Sequence, residues 1–180
     1  MSNADFHAVD LALLAFRVAV GFVFLAHGIN HIFRGGKIKG TAGWFESLGM
    51  RPGILHAWMA SLVEVASGAM LMVGLGMPLA GAGVIGTMLV ALITNHRKNG
   101  FFIFRPGEGY EYVMTLIACG LALGVVGGGE WGLDHLLFNG DDLRLFSNLT
   151  GMPGLLVTAV GGFGGGGLLL ATFWRPNKTS

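Results

Sequence analysis

The stretch FLAHGINHIF, residues 24–33, ends an apolar run with two histidines and an asparagine. His27 and His31 are one helical turn apart, so in a helix they share neighbouring parts of one face. Imidazoles placed in this way can exchange a proton, hydrogen-bond a ligand or ligate a haem iron. Asn30 is rotated by about 100° from His31 and is expected to point elsewhere, toward backbone or head groups. Arg17, Glu64, His96 and Glu111 are likewise set in or beside apolar stretches, with Thr115 one turn after Glu111. Each has a bland explanation: an Arg17–Glu64 pair can simply fix helix register, and a single histidine can be a core hydrogen bond or an interfacial cap. Their gathering in one region favours a functional pocket, because ionisable groups within a bilayer are rare and costly.

The elements that position these residues are membrane helices. Hydrophobic residues make up 53% of the chain and charged ones 12%, with mean hydropathy +0.66. That is about half the charge of an ordinary soluble domain. The net charge of +1 rules nothing in, and no basic block is long enough to suggest a nucleic-acid partner, so none is expected. The single cysteine, Cys119, lies among apolar neighbours and is expected to be a packed thiol. The opening MSNADFHAVD lacks the basic residues of a cleavable signal, so the first apolar run is expected to stay.

Five segments, about 9–33, 55–76, 78–95, 110–128 and 154–174, are expected to span the bilayer. GLGMP joins the second and third as an antiparallel hairpin. Outside the spans, nine Lys and Arg (Arg34, Lys37, Lys39, Arg51, Arg97, Lys98, Arg105, Arg175, Lys178) fall on one side and only Arg144 on the other, among Glu130, Asp134, Asp141 and Asp142. The basic side is expected to be cytoplasmic, with the N-terminus outside and the C-terminus inside. GAGVIG at 81–86 has dinucleotide-fingerprint spacing but no preceding strand, and reads as close helix packing. The fifth span carries six glycines between 161 and 167, which suits a helix packed tightly in lipid. Trp44, Trp58, Trp131, Trp174 and Tyr112 are expected to be interfacial anchors, and His7, His56 and His135 to be peripheral.

Helical spacing puts Arg17, Gly21, Phe24, Gly28 and His31 on one face of the first span, and Ala57, Ala60, Ser61, Glu64 and Gly68 on one face of the second. Glu111, Thr115, Ala118 and Ala122 are the corresponding face of the fourth. Counted in residues from the two ends, Glu64 lies between Arg17 and His27 in height. Arg17 is therefore expected to pair with Glu64, and His27 to line a pocket beside it. His31, His96 and Glu111 are expected at the pocket's cytoplasmic rim.

These segments carry a resemblance. FRVAVGFVFLAHGINHIF, the glutamate of LVEVASGAMLMVGLG, the NHRKNGFF loop, GEGYEYVMTL and GGGEWGLDHL together resemble the DoxX family of small bacterial membrane proteins, over about residues 11–137. The resemblance implies an all-α integral membrane protein with a four-helix core at 1–137. An acidic external loop and a fifth transmembrane helix are then added at 138–180. The family's polar positions fall on Arg17, His27, Glu64, His96 and Glu111; His31 stands where the family usually has lysine, and Glu130 where a basic residue commonly precedes the tryptophan. The resemblance also implies a redox role, since the family's name comes from a subunit of thiosulfate:quinone oxidoreductase. The expected function is a quinone-linked redox subunit or partner in the bacterial inner membrane. Arg17, His27 and Glu64 are its candidate catalytic residues; His31, His96, Glu111 and Thr115 are the candidate ligand-binding ones. The chain has no Cys pair, flavin motif or iron–sulfur pattern, so electrons must come through a protein partner or a bound cofactor. Alternatives are a non-catalytic scaffold or assembly subunit of a larger complex, and a b-haem protein with His27 or His31 opposite His96.

Overall fold

A computed structural model describes residues 3–138 and 149–176. Of the residues used above, Asp141, Asp142, Arg144 and Lys178 lie outside them. Helix α1 runs Asn3–Phe33, α2 Lys37–Ser47, α3 Gly53–Val73 and α4 Met77–Ala91. Helix α5 runs Glu111–Val126, α6 Leu133–Phe138, α7 Gly151–Ala159 and α8 Gly165–Phe173. A π-turn at Leu92–His96 prolongs α4, and another at Val160–Gly164 joins α7 to α8 into one helical rod. No strand occurs among the described residues.

The protein is an all-α membrane helical bundle. Among the described residues, four helical stretches are long and apolar enough to cross a bilayer: Phe6–Phe33, Gly53–Val73, Met77–Asn99 and Gly151–Phe173. The remaining expected span is shorter. Helix α5 has 16 residues, or about 24 Å of rise, and it packs against α4 and α7.

Close approach holds the bundle together, since in lipid no hydrophobic force drives one apolar helix onto another and packing must do so. A Cβ on Gly21 of α1 would sit 2.7 Å from the Gly68 carbonyl oxygen of α3, and one on Gly28 would sit 2.8 Å from that of Ser61. Glycine lets those two backbones touch. The same device joins α4 to α5, where a Cβ on Gly81 would lie 2.6 Å from Gly120 O. It joins α4 to α8 as well, where one on Gly166 would lie 3.0 Å from Gly86 O. The glycine-rich last span is thus a packed helix, and GAGVIG is a packing face. Val20, Phe24, Leu71, Met77, Val84, Ile85 and Leu123 fill the main core.

The buried faces of α1 and α3 are those expected. Arg17, Gly21, Phe24 and Gly28 are buried, as are Ala57, Ser61, Glu64 and Gly68. The face of α5 is different: Val113, Ile117, Gly120, Leu123 and Gly124 are buried, while Thr115, Ala118 and Ala122 are exposed. Tight packing through Gly120 and Gly124 sets that rotation, with Gly124 seated on Thr158.

Polar clasps close each end. At one end Asp134 accepts hydrogen bonds from the Gly76 and Met77 amides (2.8 and 3.2 Å), satisfying the open N-terminus of α4. There too Asp10 accepts from the Glu130 amide (2.9 Å). At the other end the Arg175 amide donates to Gly49 O (2.8 Å) and Trp174 Nε1 to Leu48 O (3.0 Å). Residues 34–52 and 174–176 therefore share an end, opposite the N-terminal part of α1 and the 74–76 turn. Helix α2 at that basic end reads in the sequence only as loop; it buries Thr41, Ala42 and Phe45 against α3.

Candidate functional site

Helices α3 and α4 start as a tight hairpin. A methyl on Gly83 would collide with the Ser67 hydroxyl, so α3 side chains press directly on the α4 backbone at that level. Toward the basic end the two helices enclose a cavity of about 420 Å³ instead, with walls completed by α1, α2, α5 and the last span. Most of the lining is apolar, including Phe45, Met50, Met59, Val63 and Leu169. The polar lining groups are few: His27, His31, His56, Glu64, Thr87, Thr94, His96 and Tyr112. An apolar cavity with a small set of convergent polar groups is the usual form of a small-molecule site.

His31 and Glu64 form the deepest polar pair. Nδ1 of His31 lies 3.2 Å from Oε2 of Glu64, but the approach lacks hydrogen-bond alignment, and both atoms are buried without a hydrogen bond. His56 Nε2 is in the same condition. The described residues contain four buried side-chain polar atoms that lack a hydrogen bond, and three of them belong to residues lining this one cavity. Such atoms are rare in native proteins and are costly unless something else meets them.

His96 is placed by the π-turn, a device that recurs at functional sites. Its Nδ1 pairs with Glu108 O at 3.0 Å, and its Nε2 pairs with the Tyr112 hydroxyl at 2.9 Å. The two rings meet edge to face, 5.2 Å apart. Both imidazole nitrogens are occupied within the protein.

The other expected positions need correction. Arg17 does not pair with Glu64. Its guanidinium donates instead to the carbonyls of Leu71, Met72 and Trp131, at the far end of α3. The glycine contacts explain this: they set Gly21 against Gly68 and Gly28 against Ser61, which carries Arg17 to the level of Met72. That is eight residues beyond Glu64, or about 12 Å along the helix. Of the two histidines of α1, His31 continues the buried stripe of Phe24 and Gly28 and meets Glu64. His27 lines the cavity as expected, but it is exposed and bonded to Val23 O of its own helix (2.9 Å). Asn30 is exposed, as expected. Glu111 accepts from the Ile103 amide (2.8 Å) and so ties down the loop before α5, while Thr115 bonds back to Glu111 O (2.9 Å). Neither lines the cavity.

Among the lining residues that escape the sequence-based assignment are His56, Tyr112 and Trp44. His56 is buried, with its ring against Phe173 (centroids 5.1 Å apart). The signal for it is its spacing, since residues 56, 60 and 64 repeat every fourth position on one face of α3. Tyr112 is separated from Glu111 by a single rotation step, and only the packing of α5 selects between them. Trp44 rides on α2, a helix with no counterpart in the expected spans.

The DoxX family model matches residues 12–97, from the apolar part of α1 through Arg97. The segments holding Tyr112 and Trp131 lie beyond that match. No curated protein and no solved structure matches the chain.

Proposed function

We propose that this chain, which belongs to the DoxX family, binds the head of a lipid-soluble quinone in the cavity at the basic end of its bundle. The observation that carries the reading is the set of unsatisfied buried atoms on His31, His56 and Glu64 around one apolar cavity. A quinone ring is flat and apolar, and its carbonyl oxygens accept hydrogen bonds from imidazole N–H groups such as those of His31 and His56. When bound, a quinone supplies two-electron, two-proton redox chemistry. The part of the chain is to hold the ring, exclude water and pass protons through the His31–Glu64 pair. The Tyr112 hydroxyl, anchored on His96, is a further group at the wall. Electrons come from a partner protein, in keeping with the absence of an electron-carrier motif in the sequence. In this reading the protein lies in the bacterial inner membrane with its basic end in the cytoplasm. Haem suits the cavity poorly, because both nitrogens of His96 are engaged and neither is free to face an iron.

The test is binding of menadione to the purified protein, followed by quenching of tryptophan fluorescence, for which Trp44 is a lining reporter. The wild type is expected to saturate. His31→Ala and Glu64→Leu are expected to weaken binding about tenfold, the value of one charge-assisted hydrogen bond. A wild type that shows no saturable quenching refutes the reading and leaves the scaffold role in front.

A further inference from the structure

The cavity is partly open, and three of its walls, α3, α4 and the last span, are helices long and apolar enough to cross a bilayer. Among its lining residues Met59 and Val63 of α3 are exposed, and so are Gly161 and Gly165 of the last span. Helix α3 and the last span both pack on α4 rather than along each other. They meet at the basic end through His56 and Phe173, whose rings are 5.1 Å apart, and leave a slot farther in. The floor of that slot is a small-residue face of α4, with Ala82, Gly83 and Gly86 on the cavity wall. Gly165 does no packing that calls for glycine: a Cβ there would meet no atom within 4 Å. Its neighbour Gly166, by contrast, is pressed on Gly86.

We infer that this slot is a lateral portal, entered from the hydrocarbon of the bilayer, and that it holds the isoprenoid tail of the ligand whose head lies at His31 and Glu64. The inference rests on the head-group reading above and extends it from a ring to a tailed, membrane-borne ligand. Three observations support the occupant. The exposed part of the rim, Met59, Val63, Gly161 and Gly165, is apolar. The buried unsatisfied atoms of Glu64 and His56 give the chain's head something to meet. Glu64 also lies eleven residues into α3 from Gly53, about 16 Å from the basic end. A small uncharged head can reach that depth, whereas the charged head of a two-chain phospholipid stays at the interface.

The experiment compares a menaquinone bearing its isoprenoid tail with menadione, the same type of ring without it, on wild type, Gly165→Phe and Gly164→Phe. Gly164 also faces open space but does not line the cavity, so it controls for helix propensity and added surface. Gly165→Phe is expected to weaken the tailed quinone about tenfold, the burial of roughly two methylenes. It should leave menadione, and Gly164→Phe should leave both ligands, within about twofold. Met59→Trp narrows the same slot from the facing wall and is expected to reproduce the selective loss, which guards against a folding defect of the glycine variant. Unchanged binding of the tailed quinone in both slot variants overturns the portal while the head-group reading stands. Equal loss of both ligands also overturns it, since it puts the ring itself at Gly165. Failure of the wild type to bind either quinone removes the head-group reading and the portal with it.

Discussion

Arg17 and Glu64 are the two charges that sequence alone most readily joins, and in the fold they serve different ends of the bundle. Arg17 is almost fully buried and holds three carbonyls, closing the C-terminus of α3 against the loop at Trp131. Glu64 faces the cavity with His31. Two consequences are measurable. Arg17→Gln is expected to cost about 3 kcal/mol in unfolding free energy, as charged hydrogen bonds to buried carbonyls are lost. Combining it with Glu64→Gln is expected to be additive within about 0.5 kcal/mol, because the groups share no partner. A double variant much more stable than the sum of the singles would mean that the two charges meet after all. Tyr112→Phe removes only the 2.9 Å bond to His96, and should cost about 1 kcal/mol in a thermal or denaturant melt. A neutral result there would mean that His96 finds another donor without loss.

At the scale of elements, glycines divide into those that seat one helix on another and those that do not. Gly21, Gly28 and Gly68 are in backbone contact between α1 and α3. Gly21→Leu is therefore expected to destabilise the bundle by at least about 2 kcal/mol, since neither backbone can move aside without opening the interface. Gly164→Ala meets empty space and should fall within about 0.5 kcal/mol of wild type. Melting curves of the two variants in one detergent decide the matter, and equal losses would refute the assigned packing. The π-turns also belong to this scale. The first rotates His96 toward Tyr112. The second lies within the glycine run, beside Gly162 and its contact with Ile85.

For the whole molecule, the helices alternate in direction, and hydrogen bonds fix which loops share an end. Arg34, Arg51 and Arg175 belong with the end closed by Gly49 and Leu48, while Asp10, Glu130 and Asp134 belong with the opposite one. A membrane-impermeant thiol reagent reads the orientation in a Cys119→Ser background. Glu130→Cys is expected to be labelled in intact cells, and Lys98→Cys only after the membrane is opened. Labelling of Lys98→Cys in intact cells would invert the protein. The sequence by itself determined the solvent, the helical class, the buried faces of α1 and α3 and the division of charge, because each follows from composition or from a 3.6-residue period within one segment. It also carried the resemblance to the DoxX family, whose model matches residues 12–97. Only the tertiary structure decided that His31 rather than His27 meets Glu64, that Arg17 serves the other end, and that Tyr112 and His56 line the cavity while Glu111 and Thr115 do not. Those outcomes depend on the sliding register and rotation of one helix against another. Contacts between distant glycines set both, and no periodicity within a single helix records them.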